Sequence, residues 1–551
     1  MFASLALTIA ALSCGADPRT AYDVQSYRLD LALDPRSRRI DGTLCLEAKL
    51  VSPATASLVL DLDPALELSA VERLEGALDG TRECRGVALP FRRDGRTLVA
   101  QLGKPGAPGE RVLLALRYGG TPLEKSSFEG FHWKKSADGQ PWIDVACPDS
   151  GSSSWFPCKD SYWHPEDMAE RVWINLRVPA GLTGVANGRL IAKEEQGAWD
   201  LFRWELAYPC ASSAIALHAG AFVHASRTLQ VGGKPLACET WMLPEDAAKA
   251  ELQFEDVPPL LEAFTEAFGE YPFPRAKFAL VESSFLGLGH SSCIGYGSSF
   301  PAWCAREGVS DPHSEENELF DAVLVRECAR EWWGNALGPR TWADAWIQEG
   351  FATYAEAVYA EKVLGPEVAQ QFLEGLHVGA NDKLLRPAQS DASVCSDAAL
   401  GRKGAWVLHA LRWQLDDDET WWKTLRAFHD QFRYRTASTA DFREVLERQS
   451  GKKWERFFRA WIEGSGHPEL RGRVAAEPAR VVLEIENSGS DGTEFEVPLE
   501  ITWRDGKDAR RERVMLAPGK NELAFPCKSK PKGLQARGFE HVPGAHAIRI
   551  E

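Results

Sequence analysis

Residues 319–354 read LFDAVLVRECAREWWGNALGPRTWADAWIQEGFATY. Set out at a helical 100° per residue, Leu319, Val323, Arg326, Arg330 and Trp333 fall within about 40° of one line, with Glu327 and Glu331 beside it. The opposite side carries Val325, Cys328, Ala329 and Trp332. The pattern predicts a helix that is apolar nearly all round and bears one charged arc of two arginines and two glutamates. Such a helix is buried and turns its charged arc towards a cleft or a partner. The alternative is a solvated face stabilised by an i,i+3 pair of Glu327 with Arg330. Cys328 lies about half a turn from the arginines and reads as a core thiol rather than a ligand.

Upstream, from Tyr22 to about Phe222, the period is two. Tyr27, Leu29, Leu31 and Leu33 alternate with Arg28, Asp30, Ala32 and Asp34. Asp34-Pro35-Arg36-Ser37 then makes a turn, and Ile40, Leu44, Leu46, Ala48 and Leu50 mark the return strand of a hairpin. Similar runs recur at 112–118, 171–178 and 201–206. From about Glu245 to Ile462 the spacing is helical, as in Leu260, Leu261, Phe264 and Phe268, and Ser438 to Asp441 reads as a capping box before Phe442. One strand at 278–281 precedes a glycine-rich stretch at 287–297. Trp332-Trp333 and Trp421-Trp422 sit on helical periodicity and read as core. Past Gly466-His467-Pro468 alternation returns. There Val481, Leu483 and Ile485 are expected to pair with Phe495, Val497, Leu499, Ile501 and Trp503 across the polar loop 487–492, in a β-sandwich. The chain thus reads as multidomain α+β, divided at 1–20, 21–225, 226–466 and 467–551.

Composition bounds the function. The 551 residues are 44% hydrophobic and 26% charged, which fits globular domains rather than disorder or fibrous repeats. A net charge of −16 with no basic block argues against nucleic acid and anionic membrane as partners. Twelve histidines are enough for a metal site, so their placement decides. The twelve cysteines form no C-x-x-C pair, which argues against zinc ribbons and thioredoxin-like chemistry. Phe2 to Leu12 is an uncharged run too short to span a bilayer and long enough for a signal-peptide core. It ends in Ala11-Leu12-Ser13-Cys14, which resembles a bacterial lipoprotein processing box, although the run is preceded by no Lys or Arg. The expectation is an exported protein, whether periplasmic, an outer-membrane lipoprotein or extracellular, with membrane attachment only through a lipid on Cys14. With Cys14 set aside, eleven cysteines remain, so at least one is unpaired within a monomer.

The opening segment resembles the zinc signature of the aminopeptidase N-like family, the membrane alanine aminopeptidases among the gluzincin metallopeptidases. That signature is H-E-x-x-H, eighteen residues, then a glutamate in N-E-G-F-A. Here Arg326-Glu327-Cys328-Ala329-Arg330 is followed by eighteen residues and Glu349 in Gln348-Glu349-Gly350-Phe351-Ala352. Trp332-Trp333-Gly334-Asn335 stands where the family has W-F-G-N, and Trp342 to Trp346 matches the approach to the third ligand. Trp155-Phe156-Pro157-Cys158, Tyr271-Pro272-Phe273-Pro274, Lys403-Gly404-Ala405 and Gly464 to Pro468 are similar to further family motifs, so the likeness covers nearly the whole chain. It implies an N-terminal β-sandwich or saddle, a thermolysin-like, mainly α peptidase domain and a C-terminal β-sandwich.

The resemblance also exposes departures. The family's chemistry needs two neutral imidazoles and a carboxylate on zinc, with the signature glutamate polarising the bound water. Both imidazole positions are arginine here, and a guanidinium offers no lone pair. The loop that supplies an amine-binding glutamate reads Gly287-Leu288-Gly289-His290, with Gly289 in that place; His290 reads as a loop hydrogen-bonder, and His313 as exposed. Gly401 stands at the position of the oxyanion-stabilising tyrosine. The resemblance therefore implies a non-catalytic homologue that acts by binding peptide or protein in the ancestral cleft. Glu327 is retained at the general-base position but idle, and no cofactor is expected. Arg326 and Arg330 are expected to replace the metal's charge and to pair with Glu349 and Glu327. The alternative is an active hydrolase, either a zinc aminopeptidase or an acid–base peptidase built on Glu327 and Glu349.

Overall fold

The computed structural model describes residues 17–551 except 82, 149, 298–299, 302–318, 377–384, 387–393, 396–397 and 543. Cys14 with its apolar run, Cys304 and His313 lie outside the described residues.

The alternation at the start of the chain builds the hairpin read from it. Tyr22–Asp34 pairs antiparallel with Arg39–Leu50, Leu29 opposite Leu44 and Asp34 opposite Arg39. These two strands lie at the centre of an eight-stranded sheet, between Arg171–Pro179 on one side and Arg111–Gly120 on the other. The polar face is not left to solvent. Arg28 is buried, its guanidinium binding Asp30 and the carbonyl of Asp79, while Asn175 donates to Asp30 and to the carbonyl of Gly80. The segment that covers this face is tied down by a disulfide between Cys45 and Cys84, packed on Ala115, Leu74 and Leu78. A five-stranded sheet containing Glu129–Lys135 and Pro141–Ala146 completes most of this β-rich region.

The middle of the chain is helical around a second five-stranded sheet. Val223–Val231, Lys234–Met242 and Phe278–Glu282 are joined there by two short strands, Ile294–Tyr296 and the edge strand Gly287–Leu288. The glycine-rich stretch is thus a hairpin and not an open loop. Trp332, Trp333 and Trp421 are fully buried. The capping box forms: the Ser438 N–H donates to the Asp441 carboxylate and the Asp441 N–H to the Ser438 hydroxyl. Among the described residues, no helix is long and apolar enough to cross a membrane.

The C-terminal module is a β-sandwich with pairing different from that expected. Arg480–Gly489 pairs with Pro468–Glu477 and Gly519–Pro526, while Val497–Asp505 pairs with Asp508–Leu516 and Lys532–Arg537 in the facing sheet. The loop after Gly489 therefore crosses between sheets and does not close a hairpin. Asn487 secures the crossing by donating to the carbonyls of Phe495 and Leu516. Alternation had identified the inward faces, since Val481, Leu483, Val497, Leu499 and Ile501 are all buried. It carries no information about which strand lies beside which.

Candidate functional site

Two helices frame the site. Asp321 caps the first, Ala322–Ala329, its carboxylate accepting the N–H of Leu324 and the hydroxyl of Tyr296. The chain turns out of this helix at Arg330 and reverses at Gly334, whose φ of 128° suits a residue without Cβ. It then enters the second helix, Trp346–Tyr359. That helix is almost wholly buried, so carboxylates on it are desolvated and must be paired.

The pairing is specific. Arg330 grips Glu349 with both terminal nitrogens, at 2.9 and 2.8 Å, and its Nε lies 3.2 Å from the Glu327 carboxylate. Its side chain is 16% exposed. Burial alone would lower the Arg330 pKa, but the charges of Glu349 and Glu327 outweigh burial and raise it, so the guanidinium stays charged at any ordinary pH. Gln348 donates a further bond to Glu349 at 3.0 Å. Arg326 does not join this cluster. It pairs with Glu356, Nε to Oε1 2.7 Å, while its own side chain is 44% exposed. The expected division of partners is thus correct for Arg330 and wrong for Arg326. The reason is distance along the helix: Glu356 lies two turns beyond Glu349 on the same face, under the residue one turn before Arg330.

The glycine-rich hairpin closes over the first helix. Glu327 accepts the Gly289 N–H at 2.6 Å, and fully buried Glu331 accepts from the Tyr271 hydroxyl, the Ser292 N–H and the Asn335 amide. Burial raises the Glu331 carboxyl to about 7 against those donors. A Cβ on Gly287 would meet Val323 at 2.5 Å, and one on Gly289 would meet Arg330 Cβ at 2.9 Å. His290 is buried, with its Nδ1 unpaired, and burial lowers its pKa to about 3. Expected as a loop hydrogen-bonder, it makes no such bond through Nδ1. Gly401 belongs to the helix Ala398–Leu415, which crosses Trp346–Tyr359 so closely that a Cβ on Gly404 would lie 2.6 Å from the Gly350 Cα. A Cβ on Gly401 would itself lie 2.7 Å from the Thr353 hydroxyl. Cys328 is buried in the core, as its place on the wheel requires.

The residues present do not fit a zinc ion. Arg326 and Arg330 offer donors and no acceptor. Both Glu349 oxygens already accept from Arg330, and the guanidinium fills the space between Glu349 and Glu327. Among the described residues the close group of potential metal ligands is Asp30, Cys45 and Cys84, whose two sulfurs are joined to each other.

Comparison with known proteins agrees with this architecture. Residues 253–461 match the family model described as the Peptidase family M1 domain. Aminopeptidase M1 of Arabidopsis thaliana is 21% identical over 527 residues, which cover 91% of this chain and 57% of the plant protein. Aminopeptidase B of Rattus norvegicus is 24% identical, covering 88% of this chain and 77% of the rat protein. The chain spans about half the length of several curated relatives that it matches, such as 40% of aminopeptidase M1-A of Oryza sativa subsp. japonica. The M1 zinc metallopeptidase of Deinococcus radiodurans superposes with a TM-score of 0.64 at 23% identity, over 81% of this chain and 94% of that one. A mutant of it has been solved bound to a Tyr-Ser-Ala substrate. Aminopeptidase A of Legionella pneumophila superposes with a TM-score of 0.76 at 16% identity, over 96% of this chain and 59% of that one.

Proposed function

We propose that this chain, which belongs to the aminopeptidase N-like family of metallopeptidases, binds peptide or protein in the cleft of its peptidase-like region and does not hydrolyse it. The observation that carries this reading is the two-pronged Arg330–Glu349 pair. It commits the carboxylate retained at the third ligand position to a cation that cannot leave the chain. Three further points support it. Glu327 is held by the Gly289 N–H and by Arg330, so it is poorly placed to take a proton from water. Gly289 and Gly401 leave no side chain at the amine-binding and oxyanion positions, and the packing around each leaves little room for one. A mutant of the Deinococcus relative is bound to a Tyr-Ser-Ala substrate, and a peptide is accordingly the ligand class suggested here. The acid–base alternative fares worse, because Glu327 and Glu349 share one guanidinium.

The site of action proposed is outside the cytoplasm. A disulfide between Cys45 and Cys84 forms and persists in oxidising compartments, which accords with export. Lipidation of Cys14 remains part of this proposal.

The test is metal content and turnover of the purified full chain after loading with excess Zn²⁺ and desalting. The expected result is less than about a tenth of an equivalent of zinc and no release from aminoacyl fluorogenic substrates. Chelator-sensitive turnover would overturn the proposal. Chelator-insensitive turnover that disappears in Glu327→Gln would establish the acid–base alternative.

A further inference from the structure

The glycine-rich hairpin is rooted in the β-rich region through a fully buried ion pair. His132, on Glu129–Lys135, stands directly opposite Asp144 on Pro141–Ala146, and its Nδ1 lies 2.7 Å from Asp144 Oδ1. Neither side chain is exposed. The other ring nitrogen, Nε2, lies 3.0 Å from the Ser126 carbonyl oxygen. Asp144 reaches out of its sheet to the chain that enters the hairpin. Its Oδ2 accepts the Ser284 N–H at 2.8 Å and its Oδ1 the Ser284 hydroxyl at 3.1 Å. Phe285 sets its ring against that of His132, with centroids 6.0 Å apart, and a Cβ on Gly295 of the hairpin would meet the same phenyl ring at 2.8 Å. The first hairpin strand begins two residues later at Gly287, and the Gly289 N–H is the one bound to Glu327 in the cleft.

These contacts fix the protonation of the ring. A carbonyl oxygen only accepts, so Nε2 carries a hydrogen. Asp144 already accepts from both donors of Ser284, which holds it as a carboxylate, so Nδ1 carries a hydrogen as well. His132 is therefore an imidazolium. Burial would lower its pKa, but the bond and charge of Asp144, helped by the Ser126 carbonyl and Glu124, outweigh burial and raise it. The other ionisable groups nearby do not compete for this role. Glu124 is paired with Lys134, and Glu129 accepts from the Ser150 N–H. His218, opposite Asp144 on the next strand, is held neutral by burial, and residues 283–288 have no ionisable side chain. When the proton leaves His132, one ring nitrogen turns a lone pair on an acceptor, and Asp144 is left in the interior without a counter-charge.

We propose that His132 and Asp144 form a proton-gated latch on the glycine-rich hairpin. Protonated, the pair fastens Ser284 and with it the wall of the cleft at Gly289; deprotonated, it releases that wall. Because the closed hairpin binds the proton more tightly than the open one, closure is strongest below about pH 6.5 and weakens as pH rises through the value of the latched ring. The latch stands whether or not the cleft binds peptide.

The experiment is nitrogen-15 NMR of the histidine rings together with amide hydrogen exchange of the full chain from about pH 5 to 9, corrected for intrinsic exchange rates. His132 is expected to carry a proton on both nitrogens at about pH 6. As the ring titrates, the Ser284 and Gly289 amides are expected to lose protection, by up to about tenfold for each unit by which its pKa exceeds about 6.5. A neutral ring at about pH 6, or protection that stays constant while the ring titrates, would overturn the proposal. His132→Gln separates this group from Glu331, which titrates nearby and accepts the Ser292 N–H. The variant is expected to lack the protection already at about pH 6 and to lose no more by about pH 9. A pH-dependent loss that survives in His132→Gln belongs to another group and would overturn the latch as well. If the variant does not fold, the wild-type titration decides by itself.

Discussion

Gly289 and Arg330 are fitted to one another. A Cβ at 289 would stand 2.9 Å from the Arg330 Cβ and 3.2 Å from its Cδ, while the Gly289 N–H binds the same Glu327 that Arg330 approaches. The loop rests directly on the helix at residues 327 and 330, so the lack of a side chain at 289 answers to the Glu327 carbonyl oxygen and the base of the Arg330 side chain.

That fit predicts the response to mutation. Gly289→Ala should destabilise the wild type by about 1–3 kcal/mol through overpacking. In an Arg330→Ala background the same change should still cost most of that, because the Cβ of residue 330 and the Glu327 carbonyl oxygen, each 2.9 Å from the new Cβ, remain and only the Cδ at 3.2 Å is gone. Urea midpoints of the four proteins decide the point, and a cost that vanishes in the Arg330→Ala background would show that the arginine stem alone excludes a side chain at 289.

The Arg330–Glu349 pair predicts an asymmetry between one-sided and two-sided removal. Arg330→Met strands Glu349 in the interior and should cost about 3 kcal/mol, since breaking one side of a buried pair leaves an unpaired charge. Arg330→Met combined with Glu349→Gln should recover most of the loss. Arg326→Met is expected to behave differently, because Arg326 is well exposed while its partner Glu356 is not; there the penalty falls on Glu356 alone and Glu356→Gln relieves it.

Acid and base limbs of stability have different owners. His218, His290, His409 and His429 are lowered by burial to about 3, so unfolding takes up protons between about pH 3 and 6.5 and stability falls as pH falls through that window. Glu331 is raised by burial to about 7. The folded state holds a proton there that the unfolded chain releases above about pH 4.5, so this group makes stability fall as pH rises towards 7. Stability is therefore expected to peak near neutrality. The difference in unfolding free energy between Glu331→Gln and wild type should move in favour of the variant by roughly 2–3 kcal/mol from pH 5 to 8. A constant difference would show that Glu331 is ionised throughout.

What the sequence revealed follows the physics of each signal. The hairpin of Tyr22–Asp34 with Arg39–Leu50 was legible because alternation and turn chemistry are both local. The partner of Arg480–Gly489 was not, since an alternating strand announces its buried face and leaves its neighbour open. Burial of Arg28 was hidden for a related reason: its cover comes from the segment anchored at Cys84, and cysteine spacing carries no connectivity. In the site, the pairing of Arg330 with Glu349 could be anticipated from helical period and the matched spacing. Glu356 was missed, although its position seven residues after Glu349 was available as a signal. The closeness of Gly401 to Thr353 had no signal at all, because which helices cross at a glycine is settled only by the whole fold.

The tight crossing at Gly350 and Gly404 also bears on how this sequence can change over generations. With the two helix backbones in direct contact, Thr353 and Gly401 have no slack to share, so a bulky residue at 401 demands a second change elsewhere. A glutamate at 289 demands that the loop move off the Glu327 carbonyl and the Cβ of residue 330, and a histidine at 330 strands Glu349. Each single step towards a metal-binding arrangement is opposed by a neighbour already in place. A change towards a metal-binding arrangement therefore calls for paired substitutions, one at the ligand position and one at the neighbour that opposes it.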